Sequence, residues 1–120
     1  MSANELKKRG VDWIDVSSGG VSPLQKIALG PGYQVPFAAA VKAATGLPTI
    51  AVGLITEARQ AEEILASGKA DMVALARGML DDPRWGWHAA VVLGAEVPRA
   101  QQYLRAGPKL WAPAAERAKV

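Results

Sequence analysis

The sequence repeats one pattern three times: a glycine that ends a helical segment is soon followed by a short apolar run. The glycines are Gly10, Gly46 and Gly68, and the runs begin near Trp13, Thr49 and Met72. Glycine ends helices because it adopts the left-handed conformation at little cost, and short apolar runs beside it are typical of strands. Strands that alternate with helices predict an α/β fold with a parallel sheet and right-handed crossovers.

The predicted helices have recognisable starts. Ser2 and the glutamate three residues later have the spacing of a capping box, which predicts a short helix near the beginning of the chain. Residues 37–45 are alanine-rich and are predicted to be helical. A further helix is predicted over residues 85–93, because Asp82 and Pro83 suit an N-cap and the first helical position.

The residues after the third apolar run suit an anion. Residues 72–76 are continuously apolar, which is typical of a strand buried on both faces of a parallel sheet. Arg77 and Gly78 follow directly, so a cation and a backbone without a side chain lie together just past the strand. Parallel sheets bind ligands at the carboxyl ends of their strands, so an anion-binding turn is predicted here.

The repeated units alone leave the fold incomplete. A parallel sheet with helices on one side has a bare second face, whereas a closed βα barrel has about eight units and about 250 residues. The chain has 120 residues, which is enough for one domain but not for such a barrel.

The composition excludes several kinds of site. Cysteine is absent, so disulfides, thiolate metal sites and cysteine nucleophiles are excluded, and a reducing compartment is the default. No apolar run approaches the roughly 18 residues of a membrane span, and the first residues lack the apolar core of a signal peptide. The single histidine, His88, lies among tryptophans and is predicted to pack, so no metal site is expected. We expect a cytoplasmic protein that does not bind membranes.

The net charge of +3 arises at the C-terminal end. Residues 1–98 contain nine Lys or Arg and ten Asp or Glu, whereas residues 99–120 contain five basic residues and one acidic residue. The cations of this end are scattered beside prolines, without interleaved aromatic residues or a nucleic-acid-binding motif. A solvated basic tail is therefore predicted, and nucleic-acid binding is not.

Five segments, in their order and spacing, resemble a known family. They are Gly-Val-Asp-Trp-Ile-Asp-Val-Ser-Ser-Gly-Gly (10–20), Pro-Gly-Tyr-Gln-Val-Pro-Phe (31–37), Ala-Val-Gly-Leu-Ile-Thr (51–56), Ala-Glu-Glu-Ile-Leu (61–65) and Ala-Asp-Met-Val-Ala-Leu-Ala-Arg-Gly-Met-Leu-Asp-Asp-Pro-Arg-Trp (70–85). They resemble the C-terminal third of the Old Yellow Enzyme family, FMN-dependent ene-reductases also called NADH:flavin oxidoreductases. Residues 98–105 resemble the C-terminal Pro-x-x-x-Gln-Tyr-x-Arg of the subgroup related to the bacillar and xenobiotic reductases.

The resemblance implies a fold and a division of the chain. Residues 1–97 would be the C-terminal portion, about three βα units, of a TIM (β/α)8 barrel. Its strands are expected near residues 12–17, 49–53 and 72–76. Residues 98–120 would form the basic C-terminal tail.

The resemblance also implies an FMN phosphate site at the last two strand ends. Gly53 matches the glycine that follows the seventh strand of the family. Arg77 matches the arginine after the eighth strand, with Ala76 and Gly78 as its backbone neighbours. Many relatives have glycine where this chain has Ala76, but alanine leaves the backbone N–H available.

The tail motif implies a second site. Arg105 matches an arginine that reaches the active site of a neighbouring subunit, and Tyr103 would belong to the same substrate or neighbouring-subunit site. A solvated arginine is the alternative interpretation, and both stay open.

The implied function is that of a C-terminal fragment of an FMN-dependent NAD(P)H oxidoreductase that reduces activated alkenes such as enones. In the family, the preceding portion supplies most flavin-ring contacts, the groups that bind the substrate carbonyl and the tyrosine that protonates the alkene. No catalytic residue is therefore assigned in this chain. Hydride transfer needs a flavin held against an oriented substrate, so the chain alone is expected to be inactive. Its expected partners are the missing N-terminal barrel portion or further copies of itself.

Two alternatives stay open. One is another FMN barrel, such as a dihydroorotate dehydrogenase or a dihydrouridine synthase, although residues 31–34 and 102–105 argue against it. The other is a truncated, non-catalytic βα fragment that self-assembles and binds phosphate weakly or not at all. Exposed barrel-interior surface would make such a fragment prone to self-association.

Overall fold

The computed structural model describes residues 1–119 and shows short parallel strands alternating with helices. The elements are α1 (Ala3–Lys8), β1 (Ile14–Val16), α2 (Val35–Thr45), β2 (Thr49–Val52), α3 (Ala58–Ala66), β3 (Met72–Ala74), α4 (Arg77–Asp81), α5 (Trp85–Leu93) and α6 (Ala112–Glu116), with 3-10 helices over Gln101–Ala106 and Arg117–Lys119. None of the helices within residues 1–119 has the length and apolar character needed to cross a membrane.

Contacts divide the chain into two compact units. The first unit comprises Met1–Thr56 and Gln60–Leu75, and it contains the sheet. The second comprises Glu57–Arg59 and the residues from Ala76 onward. The chain passes from the first unit to the second directly after the third strand.

The sheet of the first unit has the order β1-β2-β3, and both pairs of neighbouring strands are parallel. The register pairs Ile14 with Thr49 and Val52 with Ala74. Because α2 connects the first pair and α3 the second, the predicted α/β fold with a parallel sheet is confirmed.

One face of the central strand β2 is buried and the other is only partly covered. Thr49 and Ala51 have no exposed surface, whereas Ile50 and Val52 are half-buried. Successive side chains of a strand point to opposite faces, so this alternation distinguishes a covered face from an open one. Helix α2 contacts both β1 and β2, and its Ala38 is completely buried.

The third strand differs from the prediction of burial on both faces. Met72 is 40% exposed, and Val73 and Ala74 are only half-buried. The prediction was wrong because Met72 and Ala74 pair with Ile50 and Val52, so they lie on the face of the sheet that is only partly covered within residues 1–119. The opposite edge strand is similarly open, and Trp13 just before it is 57% exposed.

Several predicted helix ends are present. The side chain of Ser2 accepts the N–H of Glu5 at 3.3 Å, and Glu5 accepts the N–H of Ser2 at 3.4 Å, which confirms the capping box. Helix α2 ends at Gly46, whose φ of 69° is left-handed, as expected for a C-cap glycine. The same conformation at Gly94 ends α5.

The start of α5 corrects the predicted N-cap. Asp82 ends α4 instead, and Arg84 stands at the N-cap of α5. The carboxylate of Asp82 accepts the N–H of Arg84 at 3.1 Å and lies 2.5 Å from Nδ1 of His88. The carboxylate of Asp82 therefore interacts with both the turn and His88. The histidine is hydrogen-bonded as well as packed.

The C-terminal segment is folded within the second unit. Helix α5 contacts α6 and the 3-10 helix Arg117–Lys119. Ala89, Ala90 and Ala114 are buried, so small side chains form the centre of these contacts. The residues predicted as a basic tail thus form short helices.

Candidate functional site

The turn after β2 requires a glycine at position 53. Gly53 has a φ of 114°, and a Cβ placed there would lie 2.8 Å from Cε1 of Tyr33 and 2.9 Å from Nε2 of Gln34. Real Cβ atoms do not approach other atoms this closely, and the next residue, Leu54, is also left-handed at φ 49°. The close approach of Tyr33 and Gln34 is therefore sufficient reason for a glycine at position 53.

Gln34 connects two strand ends of the first unit. Its side chain is buried, and its Oε1 accepts the backbone N–H of Ser18, two residues after β1. Its Nε2 lies beside Gly53, one residue after β2. A buried amide in this position fixes the spacing of the two segments, because leaving its polar atoms unpaired would be costly.

A second glutamine holds the same turn from α3. Gln60 donates from Nε2 to the carbonyl of Leu54 at 3.1 Å and accepts the N–H of Thr56 at 3.0 Å. The carbonyl of Leu54 also accepts the N–H of Gly32 at 3.3 Å. The turn that contains Gly53 is therefore fixed from two directions by hydrogen bonds.

Sequence reasoning assigned no role to Gln34 or Gln60. Gln34 lies in the segment that carries the family resemblance, between two prolines and just before an alanine-rich helix. Its position at a helix start within a long loop was the available signal. The pairing with Ser18 depends on the path of that loop, which local pattern does not determine.

The carboxyl ends of β2 and β3 lie on the same side of the sheet. β2 and β3 are parallel neighbours with Val52 paired to Ala74, so Gly53 and Leu75 leave the sheet on the same side. The structure places Gly53 in the first unit and Ala76, Arg77 and Gly78 in the second.

Ala76, Arg77 and Gly78 begin a short helix rather than an open turn. Ala76 is the N-cap of α4, and its carbonyl accepts the N–H groups of Met79 and Leu80, both at 3.1 Å. Arg77 is exposed and forms no ion pair with a carboxylate of residues 1–119. No ion pair therefore holds its guanidinium in the described part of the chain.

Tyr103 and Arg105 lie on the 3-10 helix Gln101–Ala106. The ring centroid of Tyr103 is 5.9 Å from that of Trp87, and the guanidinium carbon of Arg84 is 5.2 Å from the Tyr103 centroid. Arg105 is exposed and has no ion pair within residues 1–119. Tyr103 is therefore partly used in packing, whereas Arg105 is available to another molecule.

A polar cluster at the amino-terminal ends of the strands has a structural role. Asp71 precedes β3 and accepts a hydrogen bond from Nζ of Lys42 at 2.9 Å and another from the N–H of Thr49 at 2.9 Å. The bond from Lys42 and then that from Thr49 lower the pKa of Asp71 below its usual value. This is the amino-terminal edge, where barrels carry stabilising contacts rather than ligands. Residues 1–119 contain no group of acidic, histidine or cysteine side chains that could hold a metal ion.

A sequence model of the NADH:flavin oxidoreductase / NADH oxidase family matches residues 2–93, which is most of the chain. The chain belongs to this family. The resemblance identified in the sequence is thereby confirmed. The family match covers every strand and ends before Tyr103 and Arg105, so it carries no information about the tail motif.

Family members named NADPH dehydrogenase are similar over most of the chain. The protein of Geobacillus sp. (strain WCH70) is 52% identical over 103 residues, covering 86% of this chain and 30% of that relative. The protein of Geobacillus thermodenitrificans is 50% identical over 100 residues, covering 83% and 29%. The protein of Bacillus licheniformis is 49% identical over 104 residues, covering 87% and 30%. The chain thus spans about 30% of the length of these relatives.

Proposed function

We propose that the chain is the C-terminal part of an FMN-dependent NAD(P)H oxidoreductase that reduces activated alkenes, and that it supplies the FMN phosphate site. The observation that supports this most directly is Arg77, an exposed arginine without an ion-pair partner in residues 1–119, three residues after β3. In this proposal the strands are the last three of a (β/α)8 barrel.

The residues fit a phosphate in different ways. Arg77 offers a guanidinium, whose fork of donors matches phosphate oxygens. Beside it, Ala76 has only a methyl group and Gly78 has no side chain. Gly53 fits as a rigid turn and not as an open space, because Tyr33 and Gln34 occupy the position of its missing Cβ.

Bound FMN would supply hydride transfer from NAD(P)H to the alkene. This chain would hold the phosphate end of the FMN. The chain spans about 30% of its NADPH dehydrogenase relatives, and no residue in it is assigned to the chemistry at the flavin ring. We propose that Arg105 and Tyr103 contribute to the active site of a neighbouring subunit. The guanidinium of Arg105, which is exposed and has no ion pair within residues 1–119, supports that role.

The proposed partner is an N-terminal barrel portion like that of the relatives. Both edges of the sheet are open within the described residues, and Trp13 and Met72 are exposed next to them. A partner that continues the sheet would cover these side chains. The same openness favours a second candidate, a non-catalytic fragment that assembles with copies of itself and binds phosphate weakly or not at all.

Co-expression tests the proposal. The chain is produced alone and together with the N-terminal portion of the Geobacillus sp. (strain WCH70) relative, and flavin absorbance is followed through size-exclusion chromatography. We expect the pair to elute as a yellow complex that oxidises NADPH when an enone is added. The chain alone should be colourless. A yellow chain with stoichiometric FMN would contradict the fragment interpretation, and colourless homo-oligomers with no complex would favour the second candidate.

Arg77→Ala tests the phosphate assignment in that complex. Removing a charge-assisted contact should weaken FMN retention by about tenfold or more. Arg117→Ala is the matched control, because Arg117 is an exposed arginine of the last 3-10 helix. Equal retention by the two variants would exclude Arg77 from the phosphate site.

A further inference from the structure

A cavity of about 380 Å³ lies within the second unit, between the end of α5 and residues 95–110. Its wall is mainly apolar and includes Ala90, Val91, Val97, Leu104, Pro108 and Leu110. Cavities of this size hold small molecules with a single ring or a short branched chain. The cavity is formed entirely by residues of the second unit and does not involve Gly53 or Arg77.

Arg99 places a positive charge in this apolar wall. A Cβ on Gly107 would lie 3.5 Å from both Cδ and Nε of Arg99, so the arginine stem runs across a buried glycine. The guanidinium carbon then lies 4.5 Å from the ring centroid of Trp87. The aromatic ring and the bare backbone fix the position of this cation.

The charge of Arg99 is not neutralised within the described chain. Arg99 has no ion pair with a carboxylate of residues 1–119. Lys109, the other cation of the wall, lies 2.6 Å from Glu96. A guanidinium over an aromatic ring keeps N–H donors at its edge, and these match the two oxygens of a carboxylate.

We propose that this cavity binds a small monocarboxylate with an aromatic or branched aliphatic body. The carboxylate pairs with Arg99, and the body lies against the apolar side chains that include Val91 and Leu104. Charge complementarity selects this ligand over a neutral one, because a neutral molecule would leave the arginine unpaired. The proposal is independent of FMN binding.

Titration of the nitrogen-15-labelled chain with phenylacetate tests this, with neutral phenylacetamide as the matched probe. We expect saturable shifts of the backbone signals of Val91, Leu104 and Gly107, and an affinity about tenfold higher for phenylacetate. Arg99→Gln should remove this preference and Arg99→Lys should retain part of it. Arg117→Gln, which changes an exposed arginine outside the cavity wall, should leave it unchanged.

Filling the cavity gives an independent check. Val91→Phe should abolish the shifts for both probes while the remaining signals show that the chain stays folded. If that variant is unfolded, the comparison of Arg99→Gln with Arg117→Gln decides alone. Equal affinity for the two probes, or no saturable shift at these residues, would overturn the proposal. The proposal would also be overturned if the backbone signals of the cavity residues shifted with protein concentration and not with ligand. A second copy of the chain would then occupy the cavity.

Discussion

Asp71 and Thr49 exchange two hydrogen bonds at the amino-terminal edge of the sheet. The carboxylate of Asp71 accepts the N–H of Thr49 at 2.9 Å, and the N–H of Asp71 donates to the carbonyl of Thr49 at 2.9 Å. Lys42 adds an ion pair to the same carboxylate at 2.9 Å. The side chain of Asp71 thus links the start of the central strand to helix α2.

The first prediction concerns the pH dependence that Asp71 gives to folding. Its hydrogen bonds lower its pKa in the folded chain below the usual 3.8, so its stabilising effect is complete above pH 3.8 and is lost as the pH falls through the lowered pKa. Asp71→Asn should lower the urea midpoint at neutral pH. The difference from the unchanged chain should shrink as the pH falls below 3.8.

Glu96→Gln is the control for that measurement. Its ion pair with Lys109 also lowers the pKa of Glu96, but both side chains are about 80% exposed. Exposed pairs contribute little because water and salt screen them. A larger effect from Glu96→Gln than from Asp71→Asn would contradict the structural role of Asp71.

The second prediction concerns the hydroxyl of Thr49. Thr49 is completely buried, and its Oγ1 has no hydrogen-bond partner within residues 1–119. Because an unpaired buried hydroxyl is costly, Thr49→Val should raise the free energy of unfolding by about 1 kcal/mol. Thr49→Ser keeps the hydroxyl and loses a methyl group, so it should be destabilising. Urea unfolding of both variants measures the two effects, and a destabilised valine variant would contradict the burial of an unpaired hydroxyl.

The third prediction separates close approach from backbone strain at glycine. Gly53→Ala places a Cβ against Tyr33 and Gln34 at a positive φ, whereas Gly68→Ala has a positive φ with nothing within 4 Å. Gly68→Ala should cost about 1 kcal/mol, and Gly53→Ala should cost clearly more, about 2–4 kcal/mol. Gly86→Ala, inside α5 with open space around it, should be neutral or stabilising. Chemical denaturation ranks the three, and equal costs at Gly53 and Gly68 would show that Tyr33 and Gln34 yield easily.

The fourth prediction concerns Gln34. Gln34→Leu leaves the N–H of Ser18 without its acceptor, which should cost about 1–3 kcal/mol and speed hydrogen exchange at Ser18. Gln25→Leu is the matched control, because Gln25 accepts the N–H of Gly20 at 2.9 Å in an exposed setting. The control should change stability by less than about 0.5 kcal/mol. Similar exchange rates in the two variants would show that Gln34 does not hold the strand ends.

The sequence predicted those parts of the fold that depend on local chemistry. The capping box of Ser2 and the helix-ending Gly46 involve neighbouring residues, so their patterns are visible in the chain. The parallel order of the strands followed from their alternation with helices. The end of β3 was less predictable, because Arg77 enters a short helix with a glycine inside it, against the usual propensity.

The missed features depend on contacts between distant residues. Gln34 pairs with a backbone group 16 residues earlier, across a loop whose path no local pattern specifies. Asp82 has the spacing of an N-cap, yet His88 competes for its carboxylate one turn into the following helix. The exposure of Met72 reflects its place opposite Ile50 on the partly covered face of the sheet, which the apolar character of the run does not indicate.

Within residues 1–119 the sheet has two edges without a neighbouring strand, at β1 and β3, and these edges decide how assembly can end. A partner that pairs with one edge and has an unpaired edge of its own leaves an assembly that can keep adding chains. Such growth produces oligomers of many sizes. A single partner that reaches both edges closes a ring and stops growth at one size. The mass distribution of complexes therefore reports whether one molecule contacts both β1 and β3, before any activity is measured.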